Sequence, residues 1–278
     1  MSAPPLKITI IVDNEARDGL AAEHGLSLWI DAGATRIVFD TGQGGALADN
    51  ARKLGIGLEQ ADALVLSHGH YDHTGGIPVV LKSSRKTKVY CHAGAVQPRY
   101  AMHNGTAKAI HMPRESMAAI DRLPEENLRW VSRAALLAGG IGITGPIPRQ
   151  TSYEDPGGPF FLDPRGQRAD AIDDDLALWI STDRGLVVCV GCCHAGIVNT
   201  LHHVMRLSGI NRVRALIGGL HLLQAGDERL DQTVAALRAF SPALLVPCHC
   251  TGAKAMRLLT AAFGGRVVPG RAGSWYEF

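Results

Sequence analysis

The sequence contains no run of about 18 uninterrupted apolar residues, the length a membrane-crossing helix needs, so an integral membrane protein built on such helices is excluded. It also lacks an excess of either charge. With 28 Lys and Arg against 26 Asp and Glu, the net charge is +2, and no basic surface for nucleic acid or anionic membranes is expected. The start, MSAPPLKITIIVDN, has no basic segment leading into a long apolar stretch and a small-residue cleavage site, and a cytoplasmic protein is expected. Six cysteines in 278 residues are too few for a disulfide scaffold, and their ordinary role is that of small buried hydrophobes. Neither a Walker-type phosphate loop nor a dinucleotide glycine fingerprint is present, which removes ATP and NAD from the expected ligands. No strict repeat occurs, and oligomeric state leaves no signature.

What is present is apolar and regularly punctuated. A 46% hydrophobic content can fill the core of one large domain or two small ones. Strands are expected at Lys7–Asp13, Leu26–Asp31, Thr35–Asp40, Ala63–Ser67, Lys88–His92, Leu176–Thr182, Leu186–Gly191, Val213–Gly218, Ala243–Cys248 and Ser274–Phe278. Helix-like stretches lie at about Gly45–Leu54, Gly76–Lys82, Gly196–Leu207, Glu228–Phe240 and Gly252–Phe263, and the alternation predicts an α/β or α+β protein with sheets covered by helices. From about Pro98 to Arg168 the chain is rich in Pro, Gly and Arg and includes "GGIGITGPIPRQTSYEDPGGPF". That stretch predicts a lid or substrate-facing insertion within a single domain spanning 1–278.

Histidines collect where apolar strands end, at His68, His92, His194, His221 and His249. The densest group is "LVLSHGHYDHTGG", with His68, His70, Asp72 and His73 inside six positions. In an extended or turning segment alternate residues point the same way, so His68 and His70 can reach one point while Asp72 and His73, past the bend, reach a neighbouring one. Two adjacent metal sites follow. Imidazole and carboxylate suit zinc, and also iron or manganese; a two-metal centre about 3.5–4 Å across can hold a bridging hydroxide that is nucleophilic at neutral pH.

The stretch "SHGHYDHTGG" resembles the H-x-H-x-D-H signature of the metallo-β-lactamase superfamily. That resemblance implies a four-layered αββα sandwich with the metals at one edge between the two sheets. It also implies a distant histidine for each metal: His194 in "VGCCHAGI" and His249 in "LLVPCHCTG". Metal one would then be held by His68, His70 and His194, and metal two by Asp72, His73 and His249. Many relatives carry a bridging aspartate between the last two histidine motifs. Here that interval holds only Asp227 and Asp231, in a helix-like stretch, and the strand end reads "ALIGGLHLL". His221 is therefore a substitute ligand or a substrate-facing acid/base group, and occupancy by one or two divalent metals stays open. The resemblance further implies that Asp40, in "IVFDTG", supports the ligating histidines without being a ligand itself. Cys193 and Cys248, each directly before a histidine, are expected to face the core. Further pieces, "EHGLSLWI", "IVFDTGQ", "GITGPIPR", "GCCHAGI", "GGLHL" and "PCHCTG", resemble a narrower group named for β-ribofuranosylaminobenzene 5′-phosphate synthase and its dihydropterin-linked relatives.

Several residues are candidates for holding an anionic substrate. "HCTGAKAM" places Thr251 and Lys254 at an expected helix start, where free N–H groups favour phosphate; Arg149 and His92 are further candidates. The expected partner is thus a small anionic metabolite. The expected activity is metal-dependent hydrolysis, favouring phosphoesters, with a metal-bound hydroxide attacking phosphorus or a carbonyl carbon and with Asp72 and His221 as catalytic groups. Three alternatives remain: phosphoribosyl transfer, in which the donor loses pyrophosphate as an aminobenzoate carbon attacks with decarboxylation; a lactonase or thioesterase; and a non-catalytic metal or metabolite sensor.

Overall fold

Continuous apolar strands need cover on both faces, and the computed structural model, which describes residues 6–278, supplies it in four layers. The strands in chain order are β1 (Lys7–Val12), β2 (Ser27–Asp31), β3 (Arg36–Phe39), β4 (Ala63–Val65), β5 (Lys88–Cys91), β6 (Tyr100–His103), β7 (Thr106–Ala109) and β8 (Leu128–Trp130). They continue as β9 (Ala135–Ala138), β10 (Ile141–Ile143), β11 (Phe160–Phe161), β12 (Ala177–Thr182), β13 (Gly185–Val190), β14 (Val213–Gly219), β15 (Leu244–Cys248) and β16 (Trp275–Glu277). One sheet has the order β16-β1-β2-β3-β4-β5-β8 and the other β15-β14-β13-β12-β10-β9.

Period-2 alternation divides the apolar residues between three cores. Ile8, Leu28, Ile30, Ile37 and Phe39 of the first sheet meet Leu178, Val187, Cys189, Ile217 and Val246 of the second in a core between the sheets. Their neighbours point outward. Trp29, Val38 and Leu64 pack under α1 (Leu47–Lys53), α3 (Ile77–Ser83) and α4 (Arg114–Asp121). The second sheet's Leu186, Val188, Val190 and Leu216 pack under α5 (Ile197–Ser208), α6 (Asp227–Phe240) and α7 (Ala253–Phe263). A one-turn helix, α2 (Tyr71–Thr74), completes the set. The architecture is the expected αββα sandwich.

The segment from Pro98 to Arg168 is not one continuous insertion. Strand β8 joins the first sheet, while β9 and β10 join the second, with Ile141 and Ile143 in the inter-sheet core. Short strands made this segment hard to read, because β8 and β10 have three residues each and show no periodicity of their own. Only β6, β7 and β11 stand apart, as a small three-stranded sheet. Among the described residues no helix is long and apolar enough to cross a membrane.

Candidate metal centre

Four chain turns meet at one edge of the sandwich, each just past a strand. Asp40 follows β3, Cys193 follows β13, His221 follows β14 and His249 follows β15, and all four hold left-handed backbone, with φ of 59°, 60°, 44° and 50°. That region costs free energy for residues other than glycine and concentrates at functional sites. The fifth contribution is the loop after β4, bearing His68, His70, Asp72 and His73, all buried.

Hydrogen bonds fix how the imidazoles point. Ser67 Oγ donates to Asp40 Oδ2 at 2.6 Å and so accepts from His68 Nδ1 at 2.8 Å. His73 Nδ1 donates to the same carboxylate at 2.7 Å. His194 Nδ1 donates to the Pro156 carbonyl at 2.7 Å, and His249 Nδ1 donates to Asn14 Oδ1 at 2.9 Å. Because each of these acceptors fixes the proton on Nδ1, all four rings turn an Nε2 lone pair inward. The inward atoms crowd one another: His68 Nε2 lies 2.9 Å from His70 Nδ1, and His73 Nε2 lies 3.2 Å from His249 Nε2. The Nε2 atoms of His70 and His194 are buried with no hydrogen-bond partner.

Imidazole nitrogens and a carboxylate oxygen converging on one buried point, with His194 Nε2 left unpartnered, are a donor set that fits a metal centre. The protonation states agree. Burial first, then the neighbouring imidazoles, hold His68 well below the usual histidine value, and burial does the same for His70 and His194, which keeps all three neutral and available as ligands. For His73, burial opposes the charge but the Asp40 and Asp72 carboxylates outweigh it and raise the ring to about 9, so a proton occupies that point when no metal does. Asp72 is ionised: burial works against it, yet His73, His24 and His249 outweigh burial and lower it well below the usual range. Asp72 Oδ2 lies 3.5 Å from His249 Nε2 and 3.2 Å from His24 Nε2.

The six expected ligands therefore converge. Two donor groups emerge, one of His68, His194 and Cys192 and one of His73, His249 and Cys192, with His24, Asp72 and His249 alongside. Asp40 lies where the resemblance implied, behind His73 and, through Ser67, behind His68. His221 stacks against His194 with ring centroids 4.2 Å apart, and its inward donors are Cys192 and Cys250. Cys193 and Cys248 face apolar cores as expected. Cys192 and Cys250 are buried as expected, but their sulfurs lie among the histidines, in groups that could hold a metal, and not in an apolar core. The histidine close to each of them, in "GCCH" and "CHC", is the signal the sequence carried.

The loops are pinned by residues that composition did not single out. Asp174 Oδ2 accepts from Gly69 N and from Arg99 Nη1, both at 2.8 Å, holding the loop of His68 and His70. Its neighbour Asp175 accepts from Ala195 N at 2.7 Å, holding the loop of His194. Glu154 accepts from Val198 N and Asn199 N at 2.9 Å and so caps α5. Gly157, with φ of 86°, lies so close to His221 that a Cβ there would come within 2.0 Å of the ring. The irregular "YEDPGGPF" stretch thus seats both His194 and His221.

Above the histidines lies a cleft of about 270 Å³ walled by Tyr71, Phe160, His221 and Leu223, with His103 and Lys108 reaching it from the β6–β7 hairpin. None of the four substrate-binding candidates read from the sequence reaches it. His92 Nδ1 accepts from Gly94 N at 3.1 Å and caps a short turn. Arg149 is spent on backbone carbonyls, of His194 at 2.6 Å and of Ala171. Thr251 is buried, its Oγ donating to the Cys248 carbonyl at 2.8 Å, and Lys254 is exposed and paired with Asp227. Each was legible as a polar residue at a strand end, a helix start or in the expected lid, but its direction was set by tertiary contacts.

The family described as the metallo-beta-lactamase superfamily matches residues 21–201. A protein of Methanocaldococcus jannaschii named 7,8-dihydropterin-6-methyl-4-(beta-D-ribofuranosyl)-aminobenzene-5'-phosphate synthase is 31% identical over 254 residues, 87% of this chain and 85% of its own. A second, uncharacterized protein of that organism is 31% identical over 255 residues, 91% of this chain and 93% of its own. Among solved structures, Tm1679, described as a metal-dependent hydrolase of the beta-lactamase superfamily, has a TM-score of 0.84 at 28% identity and covers 98% of this chain and 99% of that one.

Proposed function

Because the chain belongs to the metallo-β-lactamase superfamily, we propose that it is a metal-dependent hydrolase acting on a small phosphorylated metabolite. The observation that carries this reading is the convergence of His68, His70, His194, Asp72, His73 and His249, of which His70, Asp72 and His249 line a cleft whose rim bears a lysine. His68, His70 and His194 would hold one divalent metal, zinc first among the candidates, and Asp72, His73 and His249 a second. When bound, the metals supply Lewis acidity that activates water near neutral pH and stabilises charge developing on phosphoryl oxygens. The remaining tasks fall to the chain. Lys108, its ammonium 5.5 Å from the centroid of the Tyr71 ring, meets the phosphate at the rim. Phe160 and Leu223 offer apolar walls to the rest of the molecule and exclude water. His221, whose Nδ1 is buried without a partner, is placed to pass a proton to the leaving group.

Turnover of phosphomonoester, phosphodiester, lactone and thioester substrates by metal-loaded protein tests this. Activity confined to phosphoesters, and abolished in Asp72→Ala, is expected; activity on lactones or thioesters alone would transfer the assignment to those chemistries. A second reading is favoured by the name of the 31% identical relative: phosphoribosyl transfer to an aromatic amine. Pyrophosphate release that requires an aromatic co-substrate, with no phosphoester turnover, would establish that reaction in its place.

A further inference from the structure

The superfamily resemblance leaves this chain without a bridging carboxylate, yet its two donor groups share one member. Cys192 Sγ lies 3.2 Å from His73 Nε2, and the sulfur belongs both to the group with His68 and His194 and to the group with His73 and His249. Among the described residues no other belongs to both, and a third group joins the same sulfur to His221 and Cys250. The thiol is 3% exposed and lies in the turn just past β13, two residues before His194, so one turn delivers both groups to the centre. A second observation points independently to a ligand here: His194 is fully buried, and its Nε2, turned inward by the bond from Nδ1 to Pro156, has no partner. An unpaired acceptor of that kind beside a buried sulfur is costly unless something electrophilic joins them.

We propose that Cys192 is the shared ligand of the centre, its thiolate joining the two metals where relatives use a carboxylate. The proposal rests on the two-metal reading above and adds to it the identity of the bridge. On binding, sulfur–metal bonds form, the S–H bond is broken, and its proton leaves to solvent. A thiolate is softer than a carboxylate and donates more charge, so the centre would prefer zinc or ferrous iron to manganese or magnesium. The reading also explains why the interval between His194 and His249 needs no aspartate at a strand end.

Cobalt(II) makes the two claims separable, because visible d–d bands report binding in the centre while a near-ultraviolet thiolate-to-cobalt band reports sulfur ligation. Wild-type protein titrated anaerobically with cobalt(II) is expected to take two equivalents and to show a charge-transfer band that grows through both. Cys192→Asp, which restores a carboxylate, is expected to keep both equivalents and the d–d bands and to lose the charge-transfer band; Cys193→Ser keeps it. A band that survives in Cys192→Asp and vanishes in Cys250→Ser would overturn the proposal in favour of the neighbouring sulfur. Growth that stops after one equivalent would reduce Cys192 to a terminal ligand and overturn the bridge. Two bound equivalents with no such band would refute sulfur ligation alone, whereas no bound cobalt would refute the metal-centre reading as well. X-ray absorption of the zinc form gives a check that needs no variant: zinc–sulfur scattering at about 2.3 Å is expected.

Discussion

At the residue scale, Asp40 carries more of the centre than any single ligand. Its carboxylate accepts from Ser67 N at 2.7 Å, from Ser67 Oγ at 2.6 Å and from His73 Nδ1 at 2.7 Å, so one side chain orients His73 directly and His68 through the serine. Asn offers one acceptor to these three donors. Asp40→Asn is therefore expected to lower metal affinity by about 10–100-fold, as seen for the partners behind metal-bound histidines generally, while the fold persists. Competition with a chromogenic chelator measures it, and an unchanged affinity would remove Asp40 from the site. Lys108 supports a second test. Loss of a charge-assisted hydrogen bond of about 1.5–3 kcal/mol predicts that Lys108→Ala raises KM for a phosphorylated substrate by roughly 10-fold or more. Lys254→Ala should leave kinetics alone, because that ammonium sits in solvent against Asp227. The contrast shows what a sequence can disclose. His68, His70, Asp72 and His73 are legible because they are neighbours, and His194 and His249 through the family resemblance, since His92 also ends an apolar strand and lies outside the site. Lys108 comes from an exposed hairpin whose position over the cleft depends on pairing between β6 and β11.

At the scale of elements, the strands and helices outside 98–168 were legible to within a few residues because the central strands are apolar on both faces and α5 and α7 are bounded by glycine, whereas α4 and the short strands β6 to β11 were not. Gly196, Gly209, Gly252 and Gly264 flank α5 and α7 with positive φ, a conformation that glycine alone adopts freely. The connection "AIDDD" was opaque. Polar and short, it reads as a loop, yet Asp174 and Asp175 pin the two histidine loops on either side of the centre. Asp175 also makes stability depend on pH. Burial first, with the Asp174 charge adding to it, raises its carboxyl from 3.8 to about 7. Between those values the folded chain binds a proton that the unfolded chain has lost, so this group's contribution to stability falls as pH rises from about 4 to about 7 and is level beyond. Asp175→Asn stays neutral and keeps an acceptor for Ala195 N–H. In chelator-treated protein, the stability advantage of Asp175→Asn over wild type should therefore grow between pH 5 and pH 8, to on the order of a few kcal/mol at the upper end, and its Tm advantage with it. Parallel melting curves across that range would show that the carboxyl titrates as it does in water.

At the scale of the whole molecule, the centre lies where two sheets could come apart. His68, His70, Asp72 and His73 follow β4 of the first sheet, while Cys192, His194 and His249 follow β13 and β15 of the second. Between the sheets the packing is apolar up to this edge, and there the donors crowd without partners. Bound metal would thus act as a cross-strut joining the layers. A ligand that binds only the folded state stabilises it by RT ln(1 + [L]/Kd), about 2.7 kcal/mol at a free concentration 100 times Kd. For a domain of this size each kcal/mol moves Tm by about 2–4 °C, so saturating zinc should raise Tm by roughly 5–10 °C over the chelated protein, and the shift should rise linearly with the logarithm of free metal. His249→Ala removes a donor supplied by the second sheet, one that lies 3.2 Å from His73 Nε2. Its metal-induced shift should shrink well below that of wild type. Calorimetry on the four states decides the matter: equal metal-induced shifts in wild type and His249→Ala would mean that the cation is held by the first sheet alone and that the strut does not exist.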